Sequence, residues 1–216
     1  MNTLINKTKP LATFAVIADT HLNEKDDECN SPFAVNRLSN RRLRHVVDDL
    51  NRRDLASVFH LGDVVHPVPS TGKLYTDSAQ CFFEEMKRLK HPLHLIPGNH
   101  DVGDKPIDWG PAGSVNDSFL DAWSTVFGRH YFHETIGNLH FLGINAQLLG
   151  SGLEMELEQR QWLESTLKQV DGERIFLFTH YPPFLMDVEE TEHYDNLGNK
   201  GRTWLLNLLK LYRVEA

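Results

Sequence analysis

Apolar residues in this chain fall into two kinds of run. Short, almost uninterrupted runs rich in β-branched and aromatic residues occupy positions 11–18 (LATFAVIA), 56–61 (ASVFHL), 93–96 (LHLI), 139–144 (LHFLGI) and 174–179 (RIFLFT). Runs of this length without polar alternation predict buried strands. Elsewhere apolar residues recur three and four apart: Leu43, Val46, Val47 and Leu50; Ala79, Phe82, Phe83, Met86 and Leu89; Trp204, Leu205, Leu208 and Leu209. That spacing predicts helices with one buried face. Thr76, Asp77 or Ser78 is expected to cap the second of them. Positions 156–170 read as a charged helix between the last two strands. Such alternation predicts an α/β fold layered around a sheet. Positions 23–33, 66–73 (HPVPSTGK) and 103–114 (GDKPIDWGPAGS) hold too many turn residues for regular elements and are expected to surround a site. No internal repeat or low-complexity linker interrupts the pattern, so a single domain over residues 1–216 is expected.

Composition narrows this picture. A chain of 216 residues can bury a sizeable core. Its formal charge of −8 argues against non-specific binding to nucleic acid. It leaves an anionic substrate open, because bound cations can reverse the sign of a local site. Cys29 and Cys81 stand far apart and form no CxxC pattern, which fits a reducing compartment. Residues 1–10 lack the apolar stretch of a secretory signal, and no apolar run reaches membrane-spanning length. The expectation is a soluble cytoplasmic protein with no membrane partner.

Candidate chemistry lies at the ends of the predicted strands. The first is followed by Asp19-Thr20-His21, the second by Gly62-Asp63, the third by Gly98-Asn99-His100-Asp101 and the fifth by His180. Ligands of open α/β sheets bind outside the carboxyl ends of the strands, so these residues are expected to converge on one rim. The set suits two divalent cations. Asp63 can bridge them, with Asp19 and His21 completing one side and Asn99 and His180 the other. Nitrogen and oxygen ligands without thiolate fit Mn, Fe or Zn better than Ca. His100 would suit a general acid or a donor to phosphoryl oxygens, with Asp101 orienting its imidazole. Singly, each has a plainer reading: Gly62-Asp63 as a turn, Asp19-Thr20-His21 as a helix cap, Asn99 as a left-handed turn residue, His180 as a core histidine. Those readings would all have to coincide.

Together, D19-x-H21, G62-D63, G98-N99-H100-D101 and H180 resemble the calcineurin-like metallophosphoesterase family, over about residues 14–183. The resemblance implies a two-sheet β-sandwich flanked by helices, and a phosphate-ester substrate, mono- or diester. It implies one metal on Asp19, His21 and Asp63, a second on Asp63, Asn99 and His180, and His100 protonating the leaving group. One departure stands out. The family's later Gly-His-x-His motif has no match after His180, where His193 is the only histidine. The resemblance therefore implies a domain truncated at its C-terminus, with weakened metal sites and low or absent activity. A non-catalytic binding domain with an incomplete metal site is the alternative. An exposed sheet edge around positions 174–179 or 205–214 is expected to invite self-association.

The remaining features read as structural. His60 and His94 lie within strands and are expected to be packed or hydrogen-bonded, while His66 is a candidate to line the cleft. Arg37, Arg41, Arg42 and Arg44 read as a solvated helix face, with phosphate steering as the sharper alternative. Phe33 and Trp109, in irregular segments, either contact substrate or pin their loops.

Overall fold

Two three-stranded sheets face each other across a layer of phenylalanines in the computed structural model, which describes residues 10–29, 31–107 and 110–216. The first sheet is parallel, in the order β1 (Phe14–Ile17), β2 (Ser57–His60), β3 (Leu93–Leu95). The second comprises β4 (Phe132–Ile136), β5 (Leu139–Gly143) and β6 (Arg174–Phe178), with β4 antiparallel and β6 parallel to β5. Helices α1 (Ser39–Leu50), α2 (Lys73–Met86), α3 (Asn99–Val102, a single turn), α4 (Asp117–Val126), α5 (Glu154–Gln169) and α6 (Asn199–Leu211) complete the framework.

Side-chain alternation along β2 explains the layering. Val58 turns towards Leu50 of α1 and Leu55, Phe59 turns the other way, and His60 returns to meet Phe82 of α2 at 5.7 Å between ring centroids. Between the sheets Phe59 meets Phe141 at 5.1 Å and Phe178 at 4.9 Å, and Phe14 meets Phe141 at 4.9 Å. Aromatic rings at such separations contribute about 0.5–1.5 kcal/mol per pair beyond the area they bury. On the outer face of the second sheet, Leu142 and Ile175 pack against Leu163 and Leu167 of α5 and Leu205 and Leu208 of α6. The fold is therefore a two-sheet sandwich flanked by helices.

The strands form close to their expected positions. Helix α2 starts earlier than expected: it begins at Lys73, just after Gly72 at φ 57°, so none of Thr76, Asp77 or Ser78 is its cap. The reason is Tyr75, buried with Ala79, Phe82 and Met86 on one helical face, which extends the apolar stripe by a turn. Helix α4 and strand β4 were not anticipated. Asn116 caps α4 by accepting from Phe119 N at 3.1 Å, and Leu120 and Trp123 bury its inner face.

Arg41 pairs with Asp27, and Arg44 with Asp26 and Glu85, so these two arginines are engaged in surface ion pairs. Phe33 is exposed, and Trp109 lies outside the described residues. The free side of β6, expected to lie bare, has backbone partners at two positions: Glu215 N donates to Ile175 O at 2.9 Å, and Leu177 N to Ala216 O at 2.6 Å. Among the described residues, no helix is long and apolar enough to cross a membrane.

Candidate metal centre

The loops that leave β1 and β2 stay paired after the strands end. Asp19 N donates to Gly62 O at 2.9 Å, His21 N to Asp63 O at 2.9 Å and Leu22 N to Val64 O at 3.0 Å. Leu22 and Val65, both fully buried, form a further bridge that pins the two loops into the core. Keeping this pairing while the chain turns forces Asp19, His21 and Asp63 into the left-handed region, at φ 56°, 44° and 53°. Each such residue without glycine's freedom costs roughly 1–2 kcal/mol. Strain of this kind gathers at functional sites, and here it raises three candidate ligands onto one rim.

Acceptor atoms crowd together on that rim. His180 Nδ1 lies 2.8 Å from Leu61 O; a carbonyl only accepts, so Nδ1 carries the hydrogen and Nε2 presents a lone pair. Asn99 Nδ2 donates to Tyr194 Oη at 2.9 Å, which turns Asn99 Oδ1 towards His180 Nε2, 3.2 Å away. Asp63 Oδ1 stands 3.6 Å from the same Nε2. Its other oxygen, Oδ2, faces His21 Nε2 at 3.4 Å, with Asp19 Oδ1 3.8 Å from that nitrogen. Two ligands about 2.1 Å from a shared cation stand roughly 3–3.5 Å apart. The spacing fits cations on both sides of Asp63, which is almost fully buried and sends one oxygen each way. Ligand atoms of Asp19, Asp63 and His180 lie within 4.8 Å of one another.

The residues expected at strand ends are thus brought together: Asp19, His21, Asp63, Asn99, His100 and His180 all line one cavity of about 440 Å³. Asp101 does not join them. Its carboxylate is fully buried and accepts from Val64 N at 3.1 Å, Val65 N at 3.3 Å and Gly98 N at 2.8 Å. It stitches the loop after β3 to the loop after β2, and it does not orient His100. That task falls to His66, whose backbone carbonyl lies 2.7 Å from His100 Nδ1 and so accepts its hydrogen. The His66 ring sits beside the site, tilted against the His100 ring at 5.2 Å and edge-on to that of His21 at 5.8 Å between centroids. His21, His66 and His100 also bring ring nitrogens within 4.8 Å of one another.

Burial dominates the electrostatics. It raises the Asp19 carboxyl above its ordinary range, with His180 opposing and Asp63 reinforcing the shift. It lowers the His21 imidazole, against the pull of Asp63. It lowers His66 to about 4 and raises the Asp101 carboxyl, which also lies near the Asp63 charge. His60, beneath the site, accepts from Gly62 N at 3.2 Å through Nδ1 and donates through Nε2 to Thr20 Oγ1 at 2.9 Å. Thr20 Oγ1 in turn donates to Val64 O at 2.9 Å, so His60 is a satisfied core histidine. His94 is half-buried against Phe59 and Phe132, 3.5 Å from Glu134.

One wall of the cavity had no sequence signal that singled it out. Tyr181, Pro182, Leu185, Tyr194 and Asp195 contribute it. The segment carrying Tyr194 is held by Lys105, a buried lysine whose ammonium donates to the carbonyls of His193 and Asn196. The His193 ring stands near Glu190 and Asp195 and does not line the cavity.

Residues 12–214 match the model of the calcineurin-like phosphoesterase domain. The mouse serine/threonine-protein phosphatase CPPED1 (Mus musculus) is 26% identical over 186 residues, covering 82% of this chain and 56% of that protein. A probable glycerophosphodiester phosphodiesterase, GpdQ, from Arcobacter nitrofigilis is 23% identical over 203 residues, covering 91% of this chain and 66% of its own length. The crystal structure of a dimetal phosphatase from Danio rerio superposes with a TM-score of 0.61 at 17% identity, over 95% of this chain and 79% of that one. The chain spans about half the length of the CPPED1 relatives it matches.

Proposed function

The chain belongs to the calcineurin-like phosphoesterase family, and on that premise we propose that it is a metal-dependent hydrolase of phosphate mono- or diesters. The reading rests on one observation above the others: His180 Nε2, Asn99 Oδ1 and both oxygens of Asp63 crowd together as acceptors on one rim, with a single backbone donor, His100 N, reaching Asp63 Oδ1. Such an array is repulsive by itself and becomes favourable around cations. Asp19, His21 and Asp63 would hold one ion, and Asp63, Asn99 and His180 the other. The nitrogen and oxygen donors suit Mn, Fe or Zn. Bound there, two divalent ions supply Lewis-acid polarisation of a phosphoryl group and lower the pKa of water.

The protein's own groups do the rest. Asp63 holds its position because His100 N donates to its Oδ1 at 2.9 Å, and the burial of the carboxylate keeps bulk water from competing for it. His100, with Nδ1 tied to the His66 carbonyl, offers Nε2 to a bound ester and can deliver a proton to the departing oxygen. The wall formed by Tyr181, Pro182, Leu185 and Tyr194 would lie beside the ester's organic group. The relatives named above as a phosphatase and a phosphodiesterase share the phosphoester bond, and the proposal covers that class.

The test is a titration of the metal-free chain with Mn²⁺, followed by turnover of p-nitrophenyl phosphate and bis(p-nitrophenyl) phosphate. Two binding events, and hydrolysis of either ester that Asp63→Asn abolishes, support the reading. No cation binding overturns it. Cations bound without turnover would favour a binding domain instead.

A further inference from the structure

Residues 184–188 put apolar side chains where a folded chain ordinarily keeps polar ones. Met186 is 90% exposed, Leu185 48%, Val188 46% and Phe184 38%. Single exposed apolar residues are ordinary, but three in succession with a fourth close behind are a liability unless something binds to them. The run follows the candidate ligand His180 through only Tyr181, Pro182 and Pro183. Leu185 lines the same cavity as Asp19, Asp63, Asn99 and His180, so it borders the space beside the proposed cations.

The turn that carries these side chains is tied down. The Glu190 carboxylate accepts from Leu185 N at 2.8 Å through Oε1, and from Met186 N at 2.9 Å and Asp187 N at 3.2 Å through Oε2. Asn196 Nδ2 also donates to Oε1, at 2.7 Å. The backbone of Glu190 is held as well. Its N donates to Asp187 O at 3.0 Å, and its O accepts from Nη2 of the buried Arg202, on α6, at 2.7 Å. One carboxylate thus fixes three successive amides. The apolar side chains on them are displayed in place, with little ordering left to lose on binding.

Charge narrows what this rim would take. Residues 185–195 carry Asp187, Glu189, Glu190, Glu192 and Asp195 and no lysine or arginine. An organic group bearing a further phosphate or carboxylate would meet that field at close range and be repelled. An uncharged apolar group would not, and it would shed water against Leu185.

We propose that Leu185, with its neighbour Met186, selects phosphate esters whose organic group is an uncharged alkyl or aryl chain, and that Glu190 is the positioning residue that holds their turn. The inference rests on the reading of this rim as a two-cation phosphoesterase site, and it adds the substrate class.

A series of n-alkylphosphonates, from methyl to hexyl, titrated into the Mn²⁺-loaded protein reads the selection without turnover. Affinity in wild type should rise about two- to fourfold per methylene, the upper value being that of a methylene fully removed from water. Leu185→Asn should flatten that rise. Glu190→Gln should also lower the hexyl-to-methyl affinity ratio, and it should shift the backbone amide resonances of Leu185, Met186 and Asp187. Val188 lines a separate cavity with Arg202 and Leu206, so Val188→Asn should keep the wild-type slope. A flat series in wild type, with methylphosphonate bound, overturns the inference and leaves the phosphoesterase reading standing; co-sedimentation with phosphatidylcholine vesicles would then assign the apolar run to a lipid surface. Equal flattening in Leu185→Asn and Val188→Asn also overturns it, because the effect would be general adhesion. An unchanged ratio in Glu190→Gln removes the positioning role. Should wild type bind neither Mn²⁺ nor methylphosphonate, the reading of the site fails, and the inference with it. If Glu190→Gln does not fold, Leu185→Asn against Val188→Asn carries the comparison.

Discussion

Gly98 lies so close to Asp63 that a Cβ on Gly98 would stand 2.2 Å from Asp63 Oδ1 and 2.3 Å from Asp63 N. The backbone of Gly98, at φ −101°, suits any residue, so space and not conformation demands glycine here. Gly62 is pressed against the same turn, where its Cβ would meet Gly98 N at 2.3 Å. The two glycines let the turns after β2 and β3 touch, which is how Asp63 and Asn99 reach one rim. Gly98→Ala should therefore displace Asp63. The expected outcome is a loss of about 1–3 kcal/mol of stability from overpacking, together with loss of both Mn²⁺ binding events. Urea unfolding and calorimetric titration would check it, and a variant that binds two cations normally would show that the turns have more room than the structure gives them.

Asp101 should behave as a structural carboxylate, although it follows His100 directly. It accepts from three backbone N–H groups in a fully buried setting. Asp101→Asn turns an NH2 group towards at least one of those donors. A buried donor left unpaired costs about 1–3 kcal/mol. The metal-free variant should melt lower than wild type, whether or not a cation is later added. A metal-free melting curve that coincides with wild type would mean the loop is held by other contacts.

Stability without metal should fall as the pH falls below neutral. Burial holds His60 down at about 3 and His66 and His130 down at about 4. In the unfolded chain each titrates near 6.5. Between those values the unfolded state binds more protons, so unfolding becomes easier as protons are added. The contribution is fully present above about pH 6.5 and is lost progressively towards pH 3–4. Asp101 acts in the opposite sense: its carboxyl is raised, so its contribution is present at low pH and lost as the pH rises through its folded value. His130→Gln offers a clean check, because His130 lies away from the candidate ligands and its Nδ1 is buried without a hydrogen-bond partner. Urea melts across pH 4–7 should show the slope of stability against pH reduced by about one linked proton. An unchanged slope would place the His130 ring in water.

The strands and the site were legible for different reasons. Uninterrupted apolar runs reveal β2 because it is buried on both faces, and the polar residues directly after such runs mark the rim. Strand β4 escaped because its face alternates Phe132, Glu134 and Ile136 with exposed His133 and Thr135, leaving no apolar run. Adjacency in sequence suggests that Asp101 contacts the His100 ring, and the structure shows otherwise. In α3 the two side chains diverge, with His100 towards the His66 carbonyl and Asp101 towards the Val64 amide. Tyr194 gave no signal, because its hydrogen bond with Asn99 spans 95 residues, which leaves no periodicity in a sequence.

His100 gives the sharpest chemical prediction. Its Nδ1 hydrogen is committed to the His66 carbonyl at 2.7 Å, and its ring stands 4.8 Å from that of His21 without sharing the acceptors that gather around Asp63. The proposed function gives it the ester's departing oxygen, whereas its place beside the ring nitrogens of His21 and His66 offers a cation site as the rival role. A proton donor matters most when the departing oxygen is basic, and little when it leaves readily as nitrophenolate. His100→Ala should lower kcat about 10²–10⁴-fold for an alkyl phosphate ester and much less for a nitrophenyl ester. The number of Mn²⁺ ions bound should not change. A plot of log kcat against leaving-group pKa, steeper in the variant than in wild type, is the diagnostic result. Parallel lines would remove the proton-donor role, and loss of a cation in the variant would recast His100 as a ligand.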